Sequence, residues 1–136
     1  MTFEDESLLL QFEEAVAGLW WMSETDAPFE VFFWQQAFPS GFSVPELIQI
    51  TDHDDALPVE IQTVDQFFEP ALKSQDWHGE DELDDLRRLK RLKALIQECL
   101  HEHRVCRIGD TFLDIYIVGK TASQAWIALS TQAVET

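Results

Sequence analysis

The stretch Val105-Cys106-Arg107-Ile108-Gly109-Asp110-Thr111-Phe112-Leu113-Asp114-Ile115-Tyr116-Ile117-Val118 decides how this chain folds. Gly109-Asp110 is a two-residue hairpin signal, because glycine takes positive φ at no steric cost and aspartate tolerates the turn. The flanking runs, 105–108 and 111–118, are therefore expected to pair as antiparallel strands. Along the second run, Leu113, Ile115 and Ile117 share one face while Phe112, Tyr116 and Val118 share the other. A sheet that is apolar on both faces needs cover on both.

Helices on either side of this hairpin in the sequence can supply that cover. From Glu80 to about His101, Leu83, Leu86, Leu89, Leu92, Ile96 and Cys99 recur at helical spacing. The acids of that segment (Glu80, Asp81, Glu82, Asp84, Asp85) precede its bases (Arg87, Arg88, Lys90, Arg91, Lys93), which suits the helix macrodipole. Leu8, Leu9, Phe12, Val16 and Leu19 mark a second amphipathic helix over residues 6–19. Ser43 followed by Val44-Pro45-Glu46 opens a short helix through about Ile50, and Asp65 is expected to cap another over 66–72. Further strands are predicted at 29–34, 59–64 and 125–131, with loops at 52–55 and 74–79 and a turn at Gly119-Lys120. The expectation is one α+β domain over residues 1–136, with a mostly antiparallel sheet of about four strands between helical layers.

Charge is distributed unevenly along the 136 residues. The first 72 carry 15 carboxylates and not one lysine or arginine, whereas the remaining 64 carry 11 acids and 9 bases. The net charge of −17 thus divides into −15 and −2. So negative a half repels nucleic acid and anionic lipid, and attracts basic surfaces such as the cleft of a nucleic-acid-processing protein. Neither nucleic acid nor a membrane is an expected partner, and no stretch approaches the ~20 apolar residues of a membrane span. The start, Met1-Thr2-Phe3-Glu4-Asp5-Glu6, lacks the features of a secretory signal, so a cytoplasmic location with Cys99 and Cys106 as reduced thiols is expected.

Few residues invite a catalytic reading. His101-Glu102-His103 has metal-ligand types, but at i and i+2 of a helix they point apart, and helix-end polar residues explain them better. Asp52-His53-Asp54-Asp55 lacks the glycine and closing glutamate of a calcium loop, so a solvated acidic loop is expected there. A metal-dependent hydrolase using that loop is the remote alternative. No serine lies in a nucleophile elbow, no cysteine in a redox signature and no glycine loop is built for phosphate. The bases of the long helix alternate with leucines, which points to a solvated face.

Met22-Ser23-Glu24 and Pro28-Phe29-Glu30-Val31-Phe32 carry a different message. With Val64-Asp65-Gln66-Phe67-Phe68, Gln75-Asp76-Trp77, Leu113-Asp114-Ile115-Tyr116-Ile117-Val118-Gly119 and Val134-Glu135-Thr136, they resemble the cyanobacterial nuclease A inhibitor family over nearly the whole chain. That resemblance implies a three-layer α-β-α sandwich and a protein that blocks a magnesium-dependent, sugar-nonspecific DNA/RNA endonuclease. It assigns Glu24 to the enzyme's catalytic Mg2+, Asp76 and Trp77 to the interface, and the C-terminal carboxylate of Thr136, beside Glu135, to active-site arginines. The chain itself would then be no enzyme, hold no cofactor or metal, and be a monomer when free. An acidic adaptor of the same fold, binding another basic protein without inhibiting a nuclease, is the competing expectation.

Overall fold

The computed structural model describes residues 2–22, 26–72 and 80–135. Helix α1 (Phe3–Val16) leads into a small hairpin of β1 (Trp20–Met22) and β2 (Asp26–Pro28), followed by β3 (Glu30–Trp34). Helix α2 (Val44–Ile50), strand β4 (Val59–Gln62) and helix α3 (Val64–Phe68) come next, α3 running into a 3-10 turn at Glu69–Leu72. The long helix α4 (Glu80–Cys99) precedes three nine-residue strands, β5 (His101–Gly109), β6 (Phe112–Lys120) and β7 (Trp126–Val134). The class is α+β, as expected. The main sheet has five strands rather than about four, in the order β3-β7-β6-β5-β4, and every neighbouring pair is antiparallel.

Strand parity sorts the core into two clusters. Leu113, Ile115 and Ile117 of β6, with Ile127 and Leu129 of β7, pack with Phe12 and Val16 of α1, Phe67 and Phe68 of α3, and Leu89, Leu92 and Ile96 of α4. Tyr116 and Val118, with Cys106, Ile108, Trp126 and Ala128, pack instead with Phe38 and with Leu47 and Ile48 of α2. Each fully buried aliphatic or aromatic side chain contributes ~1.5–3 kcal/mol by leaving water. Phe112 departs from the expected pattern: at the sheet end it is 77% exposed.

The chemistry of the element ends explains most boundaries. Thr2 caps α1, its Oγ1 accepting from the Asp5 N–H at 3.0 Å, so the helix runs over Phe3–Val16 rather than 6–19. Asp5 itself is buried, and its carboxylate accepts from Ser123 Oγ at 2.5 Å, fastening α1 to the turn after β6. Burial disfavours ionisation of Asp5, but the hydroxyls of Ser123, Thr2 and Thr121 outweigh it and hold this carboxyl below its ordinary range. Helix α3 starts one residue before Asp65, because Thr63 and Gln66 form a reciprocal capping box. Ser43 caps α2 as expected.

Acidic and basic segments interlock through α4. Helix α1 has no base in its last turn, and Arg88 of α4 supplies the missing donor, its guanidinium bonding the Ala15 and Ala17 carbonyls at 3.3 and 2.5 Å. Lys93 meets Asp65 of α3 at 2.8 Å, and with Gln97 it lowers the pKa of that carboxyl. Two bases expected on a solvated face thus join α4 to α1 and α3.

Three further expectations are corrected. His101-Glu102-His103 lies in β5, not at a helix end, and the β5–β6 register shifts between His101 and Arg104. Gly109 pairs with Leu113, so three residues turn the hairpin rather than two. Its φ of +125° demands glycine, and any Cβ there would collide with the Phe112 carbonyl oxygen. Gly119 is a strand residue of β6, where a Cβ would lie 2.6 Å from the Leu100 Cβ.

A fastening missed in the sequence is aromatic. Trp21 of β1 stacks on Phe67 of α3 with centroids 4.3 Å apart, and meets Phe68 and Phe29 edge-on at 6.1 and 6.4 Å. Replacing Trp21→Ala is expected to cost about 2–3 kcal/mol, whereas Trp21→Phe keeps a ring on Phe67 and costs about 1 kcal/mol. Gly119→Ala is expected to cost about 1–3 kcal/mol through overpacking, and less in a Leu100→Gly background, which removes the clashing Cβ. Urea unfolding of the single and double variants, read as midpoint shifts at constant slope, checks all of these.

Candidate functional site

Three loci were singled out in the sequence: Glu24, the Asp76-Trp77 pair, and Glu135-Thr136. Glu24, Asp76, Trp77 and Thr136 lie outside the described residues, whereas Glu135 lies within them. What the structure provides is the support on which each locus stands.

Residues 23–25 connect β1 to β2, since Met22 pairs with Asp26, Trp21 with Ala27 and Trp20 with Pro28. Glu24, outside the described residues, thus falls in sequence between two paired strands. Trp21 and Trp20 alternate as a strand requires, the first packed into the aromatic cluster and the second 52% exposed. On the hairpin's other strand Ala27 is buried, and its carbonyl accepts from Thr131 Oγ1 of β7 at 3.4 Å. The base of the hairpin is thus held between α3 and β7.

The segment 73–79 that carries Asp76 and Trp77 leaves from the 3-10 turn after α3 and enters α4. Phe67 and Phe68 of α3 are buried, and Ala71 and Leu72 of the turn pack on the same cluster. The stack of Trp21 on Phe67 consequently ties the flank of the first locus to the flank of the second.

The third locus follows β7. Glu135 N–H donates to the Thr111 carbonyl at 2.9 Å, continuing the strand pairing one residue past Val134. Its carboxylate is ion-paired to Arg107 of β5, and Arg107 also lies 3.7 Å from Glu60 of β4. These residues line a cleft of about 470 Å³ with Pro58, Gly109 and Leu113. Because β7 also holds Ala27 through Thr131, one strand supports both the hairpin and the segment ending in Glu135.

Among the described residues, Glu60 and Asp65 are the carboxylates of the first 72 positions within ion-pair distance of a lysine or arginine. Asp26 and Glu30 flank the hairpin, both exposed.

The remaining candidates have structural partners. His53 lies between Asp114 and Thr51, with Nε2 2.7 Å from Asp114 Oδ2 and Nδ1 2.7 Å from Thr51 Oγ1. Asp54 accepts from the Ala56 N–H at 2.9 Å. Among the described residues no group of three or more His, Cys, Asp or Glu side chains is placed to hold a metal ion. Burial pushes the Cys106 thiol up to about 11 and raises that of Cys99, away from the thiolate a nucleophile needs. Among the described residues no helix is long and apolar enough to cross a membrane.

Sequence reasoning overlooked Trp21 and Arg107. The signal for Trp21 was the pairing of Trp20-Trp21-Met22 with Asp26-Ala27-Pro28 around three polar residues. Arg107 carried a weaker signal: a charge set between Cys106 and Ile108 in the apolar half of β5.

A comparison with curated protein sequences gave no match. A family model described as nuclease A inhibitor-like protein matches residues 6–136, spanning most of α1, both sheets and all three loci. The chain belongs to the nuclease A inhibitor-like protein family.

Proposed function

We propose that this protein inhibits a magnesium-dependent, sugar-nonspecific DNA/RNA endonuclease by plugging its active site, with Glu24 placed at the enzyme's catalytic metal. The observation that carries this reading is the family match over residues 6–136. The arrangement of supports agrees with it: a hairpin fastened on both sides bears residue 24, next to the strand that leads to residues 135 and 136.

The chemistry is substitution of one oxygen anion for another. A nuclease centre presents a hard divalent cation with open positions, together with basic groups, to a phosphodiester. A glutamate carboxylate is likewise a hard anionic ligand and can accept bidentate guanidinium bonds. Unlike the substrate, it has no scissile phosphodiester, so its occupation of the metal leads nowhere. The terminal carboxylate of Thr136 adds a second anion for active-site arginines, and Asp76-Trp77 adds a polar and an aromatic contact at the rim. The inhibitor needs no catalytic group, cofactor or metal of its own.

We read the architecture as one domain over residues 1–136 with α-β-α layering, α1, α3 and α4 on one face and α2 on the other. Support comes from the two core clusters, which divide by strand parity and draw on those two sets of helices. A cytoplasmic protein, monomeric when free, completes the reading.

The decisive measurement is titration of a sugar-nonspecific endonuclease with the purified chain at fixed Mg2+. Loss of activity near a one-to-one ratio is expected, whereas binding without loss of activity would favour the acidic adaptor. Glu24→Ala is expected to raise the inhibition constant about 30-fold or more, the scale of a hot-spot residue, while leaving the unfolding midpoint unchanged. The −15 half generates a second expectation. Raising salt from about 0.05 to 0.5 M should slow association by about tenfold or more and change dissociation little, as stopped-flow mixing would read.

A further inference from the structure

The side chain of Arg107 is only 15% exposed, and the residue sits between buried Cys106 and Ile108 and opposite buried Ile115 of β6. A cation so placed is costly unless carboxylates surround it. Two do. Glu60 stands opposite Arg107 in the β4–β5 register but is 62% exposed and 3.7 Å away. Glu135 reaches Arg107 from beyond the end of β7 and forms the closer pair. The guanidinium Nε meets no acceptor among the described residues, so these two carboxylates are the charge partners found for it there.

Glu135 is thereby held twice, by its N–H on Thr111 of the β5–β6 turn and by its carboxylate on Arg107 of β5. Residues that follow a final strand ordinarily fray, and ordering a frayed segment on binding lowers affinity. Residue 136 lies one peptide, about 3.8 Å between Cα atoms, beyond this doubly tethered position.

We propose that Arg107 is a positioning residue for the partner contact: it clamps Glu135 at the end of the sheet and so fixes in advance where residue 136 meets the nuclease. The inference rests on the inhibitor reading above. Glu135 then serves the interface through position, its charge satisfied within the chain, and Glu60 screens Arg107 from the partner's own basic groups.

The test uses the full chain with Arg107→Gln, Arg107→Lys, Glu135→Gln, the exchanged pair Arg107→Glu with Glu135→Arg, and each change again without Thr136. Two quantities are read: the inhibition constant against a sugar-nonspecific endonuclease, and the rate at which a carboxypeptidase releases Thr136. Arg107→Gln and Glu135→Gln are each expected to weaken inhibition about tenfold and to speed release several-fold by unpinning the segment. Arg107→Lys and the exchanged pair should recover most of both losses. Without Thr136, the Arg107→Gln effect on inhibition should shrink to less than about twofold, because its target is gone.

Unchanged release and unchanged inhibition in Arg107→Gln would overturn the clamp. So would an Arg107→Gln loss of inhibition that persists in full without Thr136, which would make Arg107 a direct contact. If Arg107→Gln fails to fold, Glu135→Gln, altered at an exposed position, decides the same question. A parent chain that inhibits no nuclease would defeat the inhibitor reading, and the release rates would still decide whether Arg107 pins the segment.

Discussion

Trp21 lying on Phe67 is the contact on which the candidate site depends. A two-stranded hairpin is marginal in water by itself and needs a hydrophobic face to rest on. Here β1 and β2 obtain one by placing Trp21 among Phe67, Phe68 and Phe29, while Ala27 turns inward toward Thr131. The same stack holds α3, from which the 3-10 turn and the segment 73–79 depart. Two segments far apart in sequence thus share one foundation, and a shift of that ring would displace the supports of both. Rigid support matters for an inhibitor because a carboxylate entering a cation site loses its water. That loss is repaid only where the group arrives in register with the metal.

The charge asymmetry is also a folding device. With no lysine or arginine before position 73, α1 and α3 have no cations of their own. Helix α4 provides them: Arg88 satisfies the last carbonyls of α1, and Lys93 with Gln97 meets Asp65 at the start of α3. These contacts join the halves of the chain without cancelling the negative field, because most carboxylates of the first half have no such partner among the described residues. A few cations are used for geometry, and the excess anions remain available for steering. Long-range attraction of this kind governs how often two proteins meet in a productive orientation.

The sheet was legible because its signal is periodic. Leu113, Ile115 and Ile117 fall in one cluster and Tyr116 and Val118 in the other, as alternation requires. Helix α4 was equally clear from its leucine spacing. What escaped was set by contacts remote in sequence. His101-Glu102-His103 continues a helical run in composition, yet pairing with β6 draws it into a strand. Gly119 looks like a turn residue, but it is the place where Leu100 presses on the sheet. Thr63 rather than Asp65 caps α3, because Gln66 three residues on returns the bond to the Thr63 N–H. The hairpin that bears residue 24 left no alternation long enough to read, with three residues in each strand. Resemblance singled out Glu24 without revealing the supports of β1 and β2, and Arg107 was hidden because a charge between Cys106 and Ile108 does not name its partner.

The division between diffuse and located charge has a consequence for how such an inhibitor is built. Carboxylates brought together on one small surface repel one another, and each must be ordered before it binds usefully. Spreading the anions widely and fixing only a few of them lowers both costs. The fold follows that course. Exposed Asp26 and Glu30 beside the hairpin have no lysine or arginine within ion-pair distance among the described residues, whereas Glu135 is neutralised by Arg107 where the chain must be rigid. Pairing Glu135 removes a local repulsion and tethers the strand end at once. On the inhibitor reading, the encounter is drawn by charges that need no fixed geometry. The lifetime of the complex then falls to the few that the sheet holds in place, and it is those supports, not the total charge, that distinguish a plug from an acidic surface.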